Sequence, residues 1–251
     1  VKASAKTHLR CFSMIAASQT RSLFDSSSSR DWVITFAKNT QRWRQFARGL
    51  DFDTLRLEPE LIESIKIFQL GEQGEGRTLT ALAKQHAQQH DDPNYLSAIQ
   101  QFIGEEQRHA GYIAKALQAN GMAPIEKQWS DGLFRKVRKL CGWEVMISVL
   151  LTAEVIAIAY YAALAQASKD PQAKQLFERI LQDETVHLQF HGESLSRIRH
   201  PRWSVKWGLH RLFLQAVTGI VWYEHRQVLR HRFSTYRSLA YYCERLLVNL
   251  I

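Results

Sequence analysis

Cysteine is scarce in this chain: 251 residues hold three, Cys11, Cys141 and Cys243, far apart and without a Cys-x-x-Cys pair. That spacing excludes a local zinc knuckle and a rubredoxin-type iron site. An odd count with no framework fits a reducing compartment better than a disulfide scaffold. Proline (5) and glycine (12) are also sparse, while Ala, Leu, Gln, Arg and Glu fill the middle of the chain, so helix is favoured over sheet. The opening stretch, VKASAKTHLRCFSMIAASQT, holds no long apolar run, and no secretory leader is read there.

Positive charge, by contrast, is plentiful. The formal net charge is +9 with a pI near 9.6, so nucleic acid, anionic lipid or an acidic carrier protein suits the surface. Apolar residues make up 45% and charged residues 23%, enough to bury a sizeable core.

Four segments follow along the chain. Residues 1–29 are Ser-rich, close on SSSS, and read as a flexible lead-in. Residues 30–58 carry an accessory amphipathic helix, with Trp32, Phe36, Trp43 and Phe46 set among Arg and Lys. Residues 59–200 hold four helices. The first is predicted to run unbroken after Pro59, with Leu61, Ile65, Phe68, Glu72, Glu75, Leu79, Leu82 and His86 on one stripe. The second carries Ile99, Ile103, Glu106, His109, Ile113 and Leu117, and ends at Asn120-Gly121. A connection of about twenty residues, MAPIEKQWSDGLFRKVRKL, is long enough to return the chain parallel to the second helix, at roughly 3.3 Å per residue. The third helix, WEVMISVLLTAEVIAIAYYAALAQA, is long and apolar enough to be weighed as a membrane span. Glu154 near its centre favours burial inside protein instead. The fourth places Phe177, Ile180, Glu184, His187, His191 and Leu195 on one face. Residues 201–251 form a basic, aromatic, helical C-terminal extension that would cover the bundle, dimerise or touch a membrane.

Chemistry concentrates in two repeats. GEEQRHAGYI holds Glu106-x-x-His109, and DETVHLQFH holds Glu184-x-x-His187. An acid on the preceding helix stands upstream of each: Glu72 or Glu75 in one hairpin, Glu154 in the other. The offset is 34 or 31 residues in the first case and 30 in the second, about right for facing positions on antiparallel helices. Four carboxylates and two imidazoles thus converge at one level of a bundle. Uncompensated, they would cost several kcal/mol each. Two divalent cations remove that cost, and an oxygen-plus-imidazole set suits iron or manganese.

On these motifs the chain resembles the ferritin-like di-iron carboxylate superfamily over roughly residues 60–200. The resemblance implies an all-α, ferritin-like four-helix bundle with a long crossover between helices 2 and 3, plus extra N- and C-terminal helices. It implies two iron ions, with manganese as an alternative at one or both positions, held by Glu106, His109, Glu154, Glu184 and His187. GEQGEG resembles the ligand-helix opening of rubrerythrins and ubiquinone-pathway hydroxylases, which points to Glu72 as the sixth ligand; hairpin spacing points to Glu75. EEQRH and DETVH resemble the signature of di-iron monooxygenases, in which the acid before the ligand orients the opposite histidine. Asp183 is expected in that role, with Glu105 as either its counterpart or a solvated surface residue. His191, one turn past His187, is a further ligand candidate, by resemblance to the arylamine N-oxygenase branch; a hydrogen-bonded core histidine is the alternative.

The function expected is an O2-dependent oxidase or oxygenase acting on an organic substrate, with a separate electron donor. Its rivals are a ferroxidase or peroxide-scavenging iron-handling protein, and a non-catalytic helical binder with a vestigial site. The basic aromatic segments, RKVRK and WSVKWGLHRLFLQAVTGIVWY, suit RNA, a membrane surface or an acidic carrier. A homodimer and a cytoplasmic location, free or peripheral to a membrane, complete the expectation.

Overall fold

The structure, a computed structural model, describes residues 28–73, 76–126, 142–198 and 205–250. Residues 1–27 of the Ser-rich lead-in, Glu75, and the crossover residues 127–141 with RKVRK lie outside the described residues, while Ser28 and Ser29, expected to be flexible, open the first helix. Among those described there is no strand.

Helix α1 (Ser29–Ala47) starts on a capping box: Ser28 Oγ accepts from the Asp31 amide and Asp31 Oδ2 accepts from the Ser28 amide. Its buried face carries Trp32, Phe36, Asn39 and Trp43, so a polar residue sits in the middle of an aromatic stripe. After Ala47 the chain runs through turns and extended backbone to a 3-10 turn, Pro59–Leu61.

The first bundle helix is not continuous. It is divided into α2 (Ile62–Glu72) and α3 (Arg77–Gln89), and Gly76 between them is left-handed at φ 66°. A left-handed residue cannot continue an α-helix, and glycine adopts that conformation without steric cost. The break also shifts the inner stripe, since α3 buries Leu79, Ala83 and Ala87 while Leu82 and His86 are only half-buried.

Helix α4 (Pro93–Ala119) opens with Asp92 accepting from the Tyr95 amide and Pro93 in its first turn. It closes at left-handed Gly121, where the Gly121 and Met122 amides return to the Gln118 and Leu117 carbonyls. The second hairpin is α5 (Trp143–Ala167) and α6 (Pro171–Ile198). Helices α7 (Val205–Leu229) and α8 (Tyr236–Leu250) pack against each other and against α5.

This arrangement explains the apolar length of α5. Helices α6, α7 and α8 all lean on it, and 89% of its most apolar window is buried within the protein. It is the single described helix long and apolar enough to cross a membrane. Helix α7 turns Trp207, Leu214, Val217 and Val221 inward and leaves Val205, Leu209 and Leu212 exposed. The fold is the all-α, ferritin-like bundle that the two motifs imply, with added helices at both ends.

Candidate metal centre

Each bundle helix delivers its polar residues to one level. Glu72 is the last residue of α2, Glu106 and His109 stand on α4, Glu154 at the middle of α5, and Glu184 and His187 on α6. Glu72, Glu154, Glu184 and both histidines are buried, and Glu106 is half-buried.

Ligand-type atoms gather in two sets, each with all members within 4.8 Å of one another: Glu72, Glu106, His109 and Glu184, and Glu106, Glu154, Glu184 and His187. Glu106 and Glu184 belong to both. His109 Nδ1 lies 3.1 Å from Glu184 Oε1, and His187 Nδ1 lies 3.0 Å from Glu106 Oε1. These contacts lack hydrogen-bond alignment, so they are electrostatic. Glu106 Oε1, His109 Nδ1, both Glu184 oxygens and His187 Nδ1 are buried without a hydrogen-bond partner.

Such atoms ordinarily cost about 1–3 kcal/mol apiece. Here their lone pairs converge, which is what a pair of cations requires. The donor set of carboxylate oxygens and imidazole nitrogens fits iron or manganese.

The other face of each imidazole is fully engaged. His109 Nε2 lies 3.0 Å from Asp183 Oδ2, and His187 Nε2 lies 2.9 Å from Glu105 Oε2. A neutral imidazole that donates from Nε2 must present its lone pair at Nδ1, toward the carboxylate cluster. Asp183 thus faces the histidine of the other Glu-x-x-His motif. Glu105 is no solvated surface acid: it is fully buried, the mirror image of Asp183 across the bundle.

Protonation follows from the same geometry. Burial raises Glu72 and Glu154 well above the ordinary carboxylate range, and the Glu106 and Glu184 charges push them further. Burial also pushes Glu184 up, but His109 and His187 outweigh it and hold that acid low. Burial lowers His109, yet its hydrogen bond to Asp183 and the nearby Glu184 prevail and bring it to about 9.

His191 lies in neither set. Its Nε2 is 3.7 Å from Glu154 Oε1, neither ring nitrogen has a hydrogen-bond partner, and Phe102 meets its ring edge-on. Burial, then the His187 charge, lowers it to about 3.

Sequence reasoning passed over Asn39, Trp43 and Arg179 as site residues, and left Tyr161 between lining the pocket and packing. Tyr161 donates to Glu72 Oε1 at 2.7 Å. Asn39 Nδ2 reaches both Glu105 and Asp183, and Trp43 Nε1 also bonds Asp183. A signal existed for Asn39, since its spacing from Trp32, Phe36 and Trp43 sets it on the inner stripe of α1.

Compared with known proteins, residues 70–195 match the family model described as Rubrerythrin. The matched segment begins near the end of α2, takes in every member of both sets and stops within α6. No curated protein and no solved structure matches the chain.

Proposed function

The chain belongs to the rubrerythrin family, and on that premise we propose that its carboxylate–histidine cluster holds two redox-active metal ions in an O2-dependent oxidase or oxygenase. The observation that carries the metal reading is the group of five buried, unpartnered atoms aimed at one another from four side chains of α4 and α6. Glu72 and His109 would be the terminal ligands of one ion, and Glu154 and His187 those of the other. Glu106 and Glu184 would bridge them.

Bound iron supplies the electrons that activate O2. The chain's own residues do the rest. Asp183 and Glu105 hold the Nε2 proton of each histidine, so that Nδ1 is the nitrogen each would offer to a metal ion. Tyr161 holds one Glu72 oxygen in place, and the apolar faces of α5 and α6 keep bulk water away. Hydroxylation of an organic C–H bond would place one oxygen atom of O2 in the product and release the other as water, consuming two electrons and two protons. The three cysteines of this sequence are too few for a four-thiolate rubredoxin-type site, and a separate donor would supply the electrons.

Iron handling is the second reading, because the same cluster would oxidise Fe(II). Anaerobic loading with Fe(II), then a pulse of O2 without organic substrate, separates the two. An oxygenase takes up two Fe(II) per chain and stops when both are oxidised. Continued oxidation of added Fe(II) over many equivalents would establish the iron-handling role, and no uptake at all would refute both.

A further inference from the structure

Helix α1 lies outside the segment that matches the family, yet it reaches the centre. We propose that Asn39 is a positioning residue that ties the two histidine-orienting acids into one unit, so that the two metal positions fill as a coupled pair. The inference rests on the metal reading above and adds to it a helix that the family match does not include.

Asn39 is buried, 3% exposed, and every polar atom of its amide is in use. Nδ2 lies 3.0 and 2.9 Å from the two oxygens of Glu105 and 2.6 Å from Asp183 Oδ1. An amide nitrogen has two hydrogens, one for each acid. On the other side, Oδ1 accepts from an Arg179 Nη at 2.5 Å, and the second Arg179 Nη lies 2.7 Å from Asp183 Oδ1. The amide is thereby oriented without ambiguity: its oxygen faces a guanidinium and its nitrogen faces two carboxylates.

Asparagine meets this requirement where its isosteres fail. Aspartate would set a third acid against Glu105 and Asp183. Leucine would leave both acids short of a donor and Arg179 short of an acceptor, among side chains that are all buried.

Coupling follows from connectivity. Asp183 fixes the His109 ring, Glu105 fixes the His187 ring, and Asn39 is bonded to both acids. Filling one position locks its histidine and acid, which locks Asn39, which in turn presets the other acid and histidine. Trp43 is a one-sided comparison, because its Nε1 bonds Asp183 alone.

Anaerobic titration of the full metal-free chain with Co(II), followed by its d–d absorption, tests this directly. Wild type should take up two equivalents in one steep step. Asn39→Leu, and Asn39→Ser as the smaller alternative should Leu impair folding, should lose about 10–100-fold in affinity for both equivalents, with altered d–d bands. Trp43→Phe should weaken a single equivalent and separate the two steps. Circular dichroism of the metal-free variants identifies those that retain the fold. Folded Asn39 variants that bind both equivalents as wild type does, or lose only one, overturn the proposal while the metal reading stands. A wild type that takes up no Co(II) overturns the metal reading itself, and this proposal with it.

Discussion

The Tyr161 hydroxyl donates to Glu72 Oε1 across 2.7 Å, joining the C-terminal third of α5 to the last residue of α2. Helix α2 stops at that residue, so its backbone alone fixes Glu72 weakly. A fully buried phenol on the best-covered helix fixes it instead. Tyr161→Phe keeps the ring and removes the bond. The position built by Glu72 and His109 should lose affinity about tenfold, the lower end for an orienting partner, and the position built by Glu154 and His187 should not. Co(II) titration of the variant should then resolve the single steep step into two; equal losses at both would contradict the terminal role of Glu72.

Terminal and bridging acids should also part company. Glu154 appears in one set, Glu184 in both. Glu154→Leu should lower the bound metal from two ions per chain to one, and Glu184→Leu should abolish tight binding, as measured by elemental analysis after anaerobic loading. Without metal, Glu154 is a desolvated acid raised well above its ordinary pKa. Replacing it with a similar-sized apolar group should leave the metal-free melting temperature unchanged or higher, since the exchange removes a carboxyl group that burial disfavours. Two ions retained in Glu154→Leu would remove it from the ligand set.

The two Glu-x-x-His repeats made the bundle and its level of convergence legible, because ligands at fixed helical spacing leave a periodic trace. The break after Glu72 was less so. GEQGEG signals weakness in a helix, but the stripe from Leu61 to His86 fits one helix or two, and the left-handed Gly76 decides between them. Glu105, and the partners that Asn39 would find, were opaque for a different reason. A polar side chain looks like surface until a second helix covers it, and the docking of α1 on α4 is a tertiary choice that no local pattern records. His191 shares a face with His187, but the ligand-type groups cluster one turn earlier, around His187. Spacing gives the face; only coordinates give the height.

Acidity offers a third check. In the metal-free protein His109 titrates at about 9 against an ordinary 6.5, and His187 is raised as well. A folded pKa above the unfolded one contributes stability that is complete below the unfolded value and lost as pH rises through the folded one. The raised Glu72 and Glu154 act in the same sense over their own range. Metal-free protein should therefore melt at lower temperature as pH rises from 6.5 to 9. Ligation needs these groups deprotonated, so metal affinity should climb over the same window, with proton release. Thermal melts with and without Co(II) measure both trends. A metal-free melting temperature that rises across the window would contradict the protonation states assigned here.

Gly76 and Gly104 should respond to alanine in opposite directions. Gly76 is left-handed at φ +66°, and an added Cβ would meet three Ile103 side-chain atoms at 2.7–3.0 Å. Ile103 is partly buried on α4, one turn before Glu106, so the methyl presses on the segment that carries this acid of both clusters. Backbone strain in that region costs about 1–3 kcal/mol, before any shift of Ile103. Gly104 sits inside α4 with nothing within 4 Å of its added Cβ. There alanine should stabilise by about 0.5–1 kcal/mol through helix propensity alone. Chemical denaturation of both variants gives the two signs. If Gly76→Ala proved as stable as wild type, the left-handed junction between α2 and α3, and with it the height at which Glu72 enters the centre, would be wrong.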